Sequence, residues 1–172
     1  MDATQLGLIV GWAAYLSAAA TMGTAITGIL FFVVGERLGR INDAVSVLQM
    51  LLMVPVAVGH YVVTYRVGLG LALVAIITGV LGMLVAAFLQ ALLVARAVQY
   101  EQTIGAVLAA GGATGLWLVL ANAVALGGAV LPGGLTICGI ATGVGYILLA
   151  VGFRIGGQEH PLIDKSDKTR TI

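Results

Sequence analysis

Five apolar runs, each long enough to cross a lipid bilayer as a helix, take up most of this chain. A spanning helix needs about 20 predominantly apolar residues. Residues 6–34, 44–64, 68–94, 104–130 and 135–153 each supply about that many or more. Short polar segments part them. Glu36 to Asp43 (ERLGRIND) separates the first two, Tyr65 and Arg66 mark the next turn, and Arg96 to Thr103 (RAVQYEQT) ends the third run. Leu131-Pro132-Gly133-Gly134 is a turn signal before the fifth. Barrel strands alternate in polarity and span in about 10 residues, so runs of this length predict an all-α, polytopic bundle of five transmembrane helices. Residues 1–154 read as one membrane domain and residues 155–172 as a polar tail.

Composition agrees. Of 172 residues 60% are hydrophobic and 9% charged, against about 25% charged in a soluble domain, and the mean hydropathy is +1.12. Too little polar surface exists to coat a globule in water, so lipid is the expected solvent. The segment Met1-Asp2-Ala3-Thr4-Gln5 lacks the basic residues that open a cleaved leader, so the first run is expected to stay as a membrane helix.

Lysine and arginine set the expected orientation, because cytoplasmic loops carry the excess of both. Five spans put the termini on opposite sides. Seven of the eight cations, Arg37, Arg40, Arg96, Arg154, Lys165, Lys168 and Arg170, then fall on one side, and Arg66 alone on the other. The expectation is an N-terminus outside and a C-terminus in the cytoplasm.

Lipid tails are as apolar as leucine, so helices associate through close backbone contact and interhelical hydrogen bonds. In the first run Gly7, Gly11, Ala14, Ala18, Thr21, Ala25 and Gly28 recur at alternating spacings of four and three. They predict a smooth stripe, for packing within one subunit or between copies. The GxxxG spacing recurs at Gly111/Gly115, Gly139/Gly143 and Gly152/Gly156.

Polar residues within the runs come next. At 1.5 Å per residue, Gln49 and Gln90 lie at matching depths of about 9–10 Å on successive antiparallel helices, so a hydrogen bond between them is expected. His60 and Asn122 fall near the outer boundary. These four read as structural clamps, or as the lining of a polar cavity. Pro55 deletes one backbone hydrogen bond inside the second run and is a candidate kink. Asn42 or Asp43 is the expected N-cap of the second helix, with Glu36, Arg37 and Arg40 free to pair beside it.

Several chemistries find no residues. The five cores hold no Asp, Glu, Lys or Arg, which proton relays and ion-coupled carriers usually require. HExxH, GxSxG, P-loop and dinucleotide signatures are missing. His60 and His160 fall on opposite sides and cannot pair over a haem, and Cys138 has no partner for a disulfide or a zinc site. A net charge of +1 with scattered cations gives no footprint for nucleic acid. No cofactor or metal is expected.

Two stretches carry a resemblance. One is Gly39-Arg40-Ile41-Asn42-Asp43-Ala44-Val45-Ser46-Val47-Leu48-Gln49 with Val54-Pro55-Val56-Ala57. The other runs from Leu131-Pro132-Gly133-Gly134-Leu135 through Gly143-Val144-Gly145-Tyr146 to Gly157-Gln158-Glu159-His160-Pro161-Leu162. Together they resemble a group of small, uncharacterised bacterial multi-pass membrane proteins, whose members usually continue past the His-Pro-Leu element into a further apolar span. Here Asp164-Lys165-Ser166-Asp167-Lys168 follows instead. The resemblance implies a bacterial cytoplasmic membrane and no particular activity.

The sequence therefore points to a non-enzymatic helix-packing subunit or scaffold, working with copies of itself or other transmembrane subunits. The alternative is a small transporter or channel for a neutral or apolar solute, with Pro55, Gln49, Gln90, His60, Asn122 and Trp117 along its path. A lipid-acting enzyme would have to draw its acid–base pair from Glu36, Asp43, Glu101 or the tail.

Overall fold

The computed structural model describes residues 2–34 and 36–156, with backbone only for residues 3, 31–34, 36, 37 and 156. The tail beyond residue 156, with His160, Lys165, Lys168 and Arg170, lies outside the described residues, as do the side chains of Glu36 and Arg37.

The described residues form five helices and no strand: α1 (Ala3–Val34), α2 (Glu36–Thr64), α3 (Leu69–Val94), α4 (Tyr100–Gly127) and α5 (Gly133–Gly156). All five are long and apolar enough to cross a membrane. α1 packs on α2, α2 on α3, α3 on α4 and α4 on α5, and α2 also approaches α4. The chain is thus a folded ribbon of antiparallel helices, with α2, α3 and α4 drawn together and α1 and α5 on the flanks.

Packing follows the rule for lipid solvent. The core cluster is built mainly of small side chains: Ala57, Ala75, Ala86, Ala87, Ala110 and Ala121, filled out by Met50, Met83 and Trp117. Large apolar residues such as Leu8, Ile29, Phe88 and Leu148 point outward. Leucine gains nothing by leaving lipid, whereas alanine and glycine let backbones approach. The tightest approach joins α4 to α5. A Cβ added at Gly115 would lie 2.7 Å from the Gly143 carbonyl oxygen, and one added at Gly143 would lie 2.6 Å from that of Gly115. Two of the GxxxG pairs thus meet each other, while Gly152 faces open space.

Two local expectations change. The polar segment from Glu36 is helical, so Asn42 and Asp43 sit inside α2 rather than capping it. With 29 residues α2 is about 43 Å long, well beyond a hydrocarbon core of about 30 Å, so its first turns can carry charge outside the lipid. Pro55 lies inside the continuous span of α2. The second correction concerns α1. Gly7, Ala14, Ala18, Thr21 and Ala25 are exposed, and Gly11 has nothing near it. The stripe against α2 lies one residue earlier, at Val10, Ala13, Ser17, Ala20, Thr24 and Thr27; Ala13, Ser17 and Ala20 are buried. Only Gly28 of the expected set meets α2, close to Asn42. The two stripes have the same period, and the outer one is the less bulky. Hydroxyls separate them: Thr24 and Thr27 find polar partners on α2.

Both α3 and α4 end in the same backbone motif. The amide of Ala97 donates to Leu92 O and that of Arg96 to Leu93 O; Val130 donates to Ala125 O and Ala129 to Leu126 O. This double bond pattern needs a left-handed residue after the cap, usually glycine. Here Arg96 has φ 55° and Ala129 φ 50°. A Cβ in this region costs about 1 kcal/mol. Ala129→Gly should therefore stabilise the protein by about 1 kcal/mol, read as a raised melting temperature in detergent. An unchanged or lowered melting temperature would show that the left-handed residue carries no strain.

Candidate functional site

Threonines handle their hydroxyls locally. Those of Thr64, Thr78, Thr103, Thr114 and Thr142 each donate to the carbonyl four residues back at 2.7–3.1 Å. In lipid this satisfies a polar group without a neighbouring helix. Longer polar side chains cannot all do so, and they are where helices become tied together.

Gln49 is the principal case. It lies on the α2 face that also carries Asn42 and Val45, toward α1, and is 2% exposed. Thr24 Oγ1 of α1 is 3.2 Å from Gln49 Oε1 and 3.0 Å from its own Ala20 carbonyl, so its one proton serves either acceptor. Gln49 Nε2 donates to the hydroxyl of Tyr146 on α5 at 3.3 Å. That reach depends on α4. A Cβ at Gly115 would fall 2.8 Å from Tyr146 Cβ, and one at Gly111 3.8 Å from its ring. The tyrosine therefore lies along the bare glycine face of α4 to meet α2. A second tie, Thr27 Oγ1 to Asn42 Oδ1 at 2.9 Å, joins α1 to α2 one to two turns nearer their connection.

The expected bond between Gln49 and Gln90 does not form. Depth along the two helices matches, but Gln49 is rotated toward α1 and α5. Gln90 is part-buried, and its Oε1 has no partner among the described residues. His60 is also part-buried with an unpartnered Nε2. Its ring meets Trp117 of α4 edge-on, with centroids 6.2 Å apart at 90°. Trp117 is buried and fills the space left by Gly79 on α3, where a Cβ would overlap the indole. Asn122 Nδ2 donates to Leu118 O on its own helix at 2.8 Å, and its amide lies against Gly139 of α5. Gln49, His60 and Asn122 thus make separate contacts between different helices, and the Gln90 amide oxygen is left without a partner among the described residues.

Tyr146 was missed as a site residue by sequence reading. Its signal is the paired glycines of α4, whose spacing leaves room for one aromatic ring. Cys138 is exposed on α5. Among the described residues no group of three or more His, Cys, Asp or Glu could hold a metal ion. Beyond the α2 end, Arg66 Nε donates to Tyr65 Oη at 2.8 Å, with its guanidinium 5.5 Å from that ring's centre. This hydrogen bond moves the Arg66 pKa further above its ordinary value, so the cation of this turn stays charged at any physiological pH.

Tyr146→Phe keeps the ring over Gly111 and Gly115 and deletes only the acceptor of Gln49 Nε2. It should destabilise the protein by about 0.6–2 kcal/mol. Tyr15→Phe, at a residue 76% exposed, is the control and should melt like the parent. Equal melting of all three proteins would mean the tie contributes nothing.

No protein-family model matches this chain, and no curated protein or solved structure matches it at a significant level.

Proposed function

We propose that this chain is a non-enzymatic packing subunit of a bacterial cytoplasmic membrane, whose work is to present helix faces to other transmembrane helices, either its own copies or those of a larger complex. The observation that carries the reading is the second small-residue stripe of α1. Gly7, Ala14, Ala18 and Ala25 are exposed in the subunit, and Cβ atoms added at Gly7 or Gly11 would meet nothing. α1 already has one smooth face against α2. A second at the same period is a surface suited to another helix. The separate contacts of Gln49, Asn122 and His60 also suit a packing role better than a path.

Native mass measurement after gentle detergent extraction tests this. The parent should run as an oligomer or with a co-purifying partner. Ala18→Leu adds bulk to the outer stripe, so it should reduce the assembled fraction and leave the subunit's melting temperature unchanged. Ala20→Leu overfills the α1–α2 contact and should lower the melting temperature by the equivalent of about 1–3 kcal/mol. A strictly monomeric parent at every concentration would overturn the reading.

A small transporter for a neutral solute is the second reading. It draws on the unpartnered His60 Nε2 and Gln90 Oε1, which a passing solute or water would satisfy. Proteoliposomes that swell in glycerol or urea no faster than protein-free vesicles would remove it.

The proposed orientation has the N-terminus outside and the C-terminus in the cytoplasm, from the seven-to-one division of Lys and Arg. Cys138 is exposed and must first be replaced by serine. In that background Asp2→Cys should react with an impermeant thiol reagent in intact cells, and Lys168→Cys should not. The reverse pattern would invert the topology.

A further inference from the structure

At the end of the bundle where α2 begins and α3 ends, a groove of about 580 Å³ opens on the outer surface, lined by Arg40, Ile41, Ala44, Val45, Leu48 and Val94. Five of these six residues are apolar, and Ile41, Ala44, Leu48 and Val94 are exposed. From Arg40 to Leu48 the groove follows α2 for about 12 Å. Arg40 stands at its polar end, two turns from Leu48, and is itself exposed. The exposed Arg96 follows Val94 by two residues on the turn that closes α3.

The occupant must match that polarity. The apolar floor runs toward the hydrocarbon, where an acyl chain is the available filler. The cations stand where headgroups lie. A guanidinium can give two parallel N–H donors to one phosphate, a geometry ammonium lacks. A zwitterionic headgroup would also bring a second positive charge beside Arg40, and among the described residues no acidic side chain lines the groove to pair with it. Asp43, the described acidic residue nearest in sequence to Arg40, is part-buried and outside the lining. Basic pockets between transmembrane helices are a recurrent setting for anionic lipid headgroups.

We propose that this groove holds one phospholipid with an anionic headgroup, its phosphate on Arg40 and one acyl chain along Ile41, Ala44, Val45, Leu48 and Val94. The site would fasten the α2–α3 pair to the leaflet at that end of the bundle. It does not depend on the subunit being a scaffold, nor on which terminus lies outside.

The test is native mass spectrometry of the full-length protein in mild detergent, titrated with phosphatidylglycerol or phosphatidylcholine of identical acyl chains. The parent should retain one phosphatidylglycerol in preference to phosphatidylcholine. Arg40→Gln should reduce that preference by about five-fold, the equivalent of about 1 kcal/mol for one basic residue at a membrane surface. Arg66→Gln, at the opposite end of α2, should leave the preference as it is. Ala44→Trp fills the groove floor and should weaken retention of both lipids together. Melting temperatures of all variants near that of the parent would show that retention is read on folded protein. Equal retention of the two lipids by the parent, or an undiminished preference in a folded Arg40→Gln, would overturn the proposal. So would unchanged retention in Ala44→Trp, which would mean that the tail or a second copy of the chain closes the groove instead.

Discussion

Gln49 joins helices that the backbone leaves apart. Among the described residues close packing runs only between successive helices and between α2 and α4, so α1 and α5 each lean on a single neighbouring helix. The side chain of Gln49 reaches one flank through Thr24 and the other through Tyr146. In water such bonds would compete with solvent and add little. In hydrocarbon the alternative is an unsatisfied amide, which is costly. One glutamine can therefore set how far the ribbon of helices curls. Gly111 and Gly115 serve this bond as well as their own packing, because a methyl on the second would push Tyr146 off α4.

The remaining packing depends on the same economy of space. Gly115 and Gly143 lie backbone to backbone, and Gly79 gives up its side-chain volume to Trp117. The indole in turn supplies an edge or face to His60. Small residues and one large ring per contact give complementary surfaces without a hydrophobic driving force. The outside needs no such fitting, and there leucine, isoleucine, valine and phenylalanine stand exposed.

The number and extent of the spans were legible in the sequence, because lipid imposes a length and a composition that few residues can meet by accident. The charge breaks located the turns to within a few residues. The error at Asn42 and Asp43 has a simple cause: polarity marks where lipid ends, not where a helix ends. Rotation about each helix axis was not legible. The outer stripe of α1 and its neighbour at Ala13, Ser17, Ala20, Thr24 and Thr27 have the same period, the outer one is even the smaller, and only hydroxyl chemistry favours the second. Gln49 and Gln90 show the same gap, since equal depth says nothing of direction. A ring laid across α4 to meet α2 joins residues 97 positions apart, and no local pattern announces a pairing of that length.

That separation has a consequence for how the protein is made. Thr24 precedes Gln49, so the hairpin of α1 and α2 can satisfy the glutamine oxygen as soon as both helices are in place. The amide nitrogen must wait for Tyr146. At about 5–20 residues per second of synthesis, that wait is about 5–20 s. During the interval a polar hydrogen faces lipid or a chaperoning surface, and α5, which emerges after the other four described helices, is the one that relieves it. The fifth helix thus acts as a latch on the four before it.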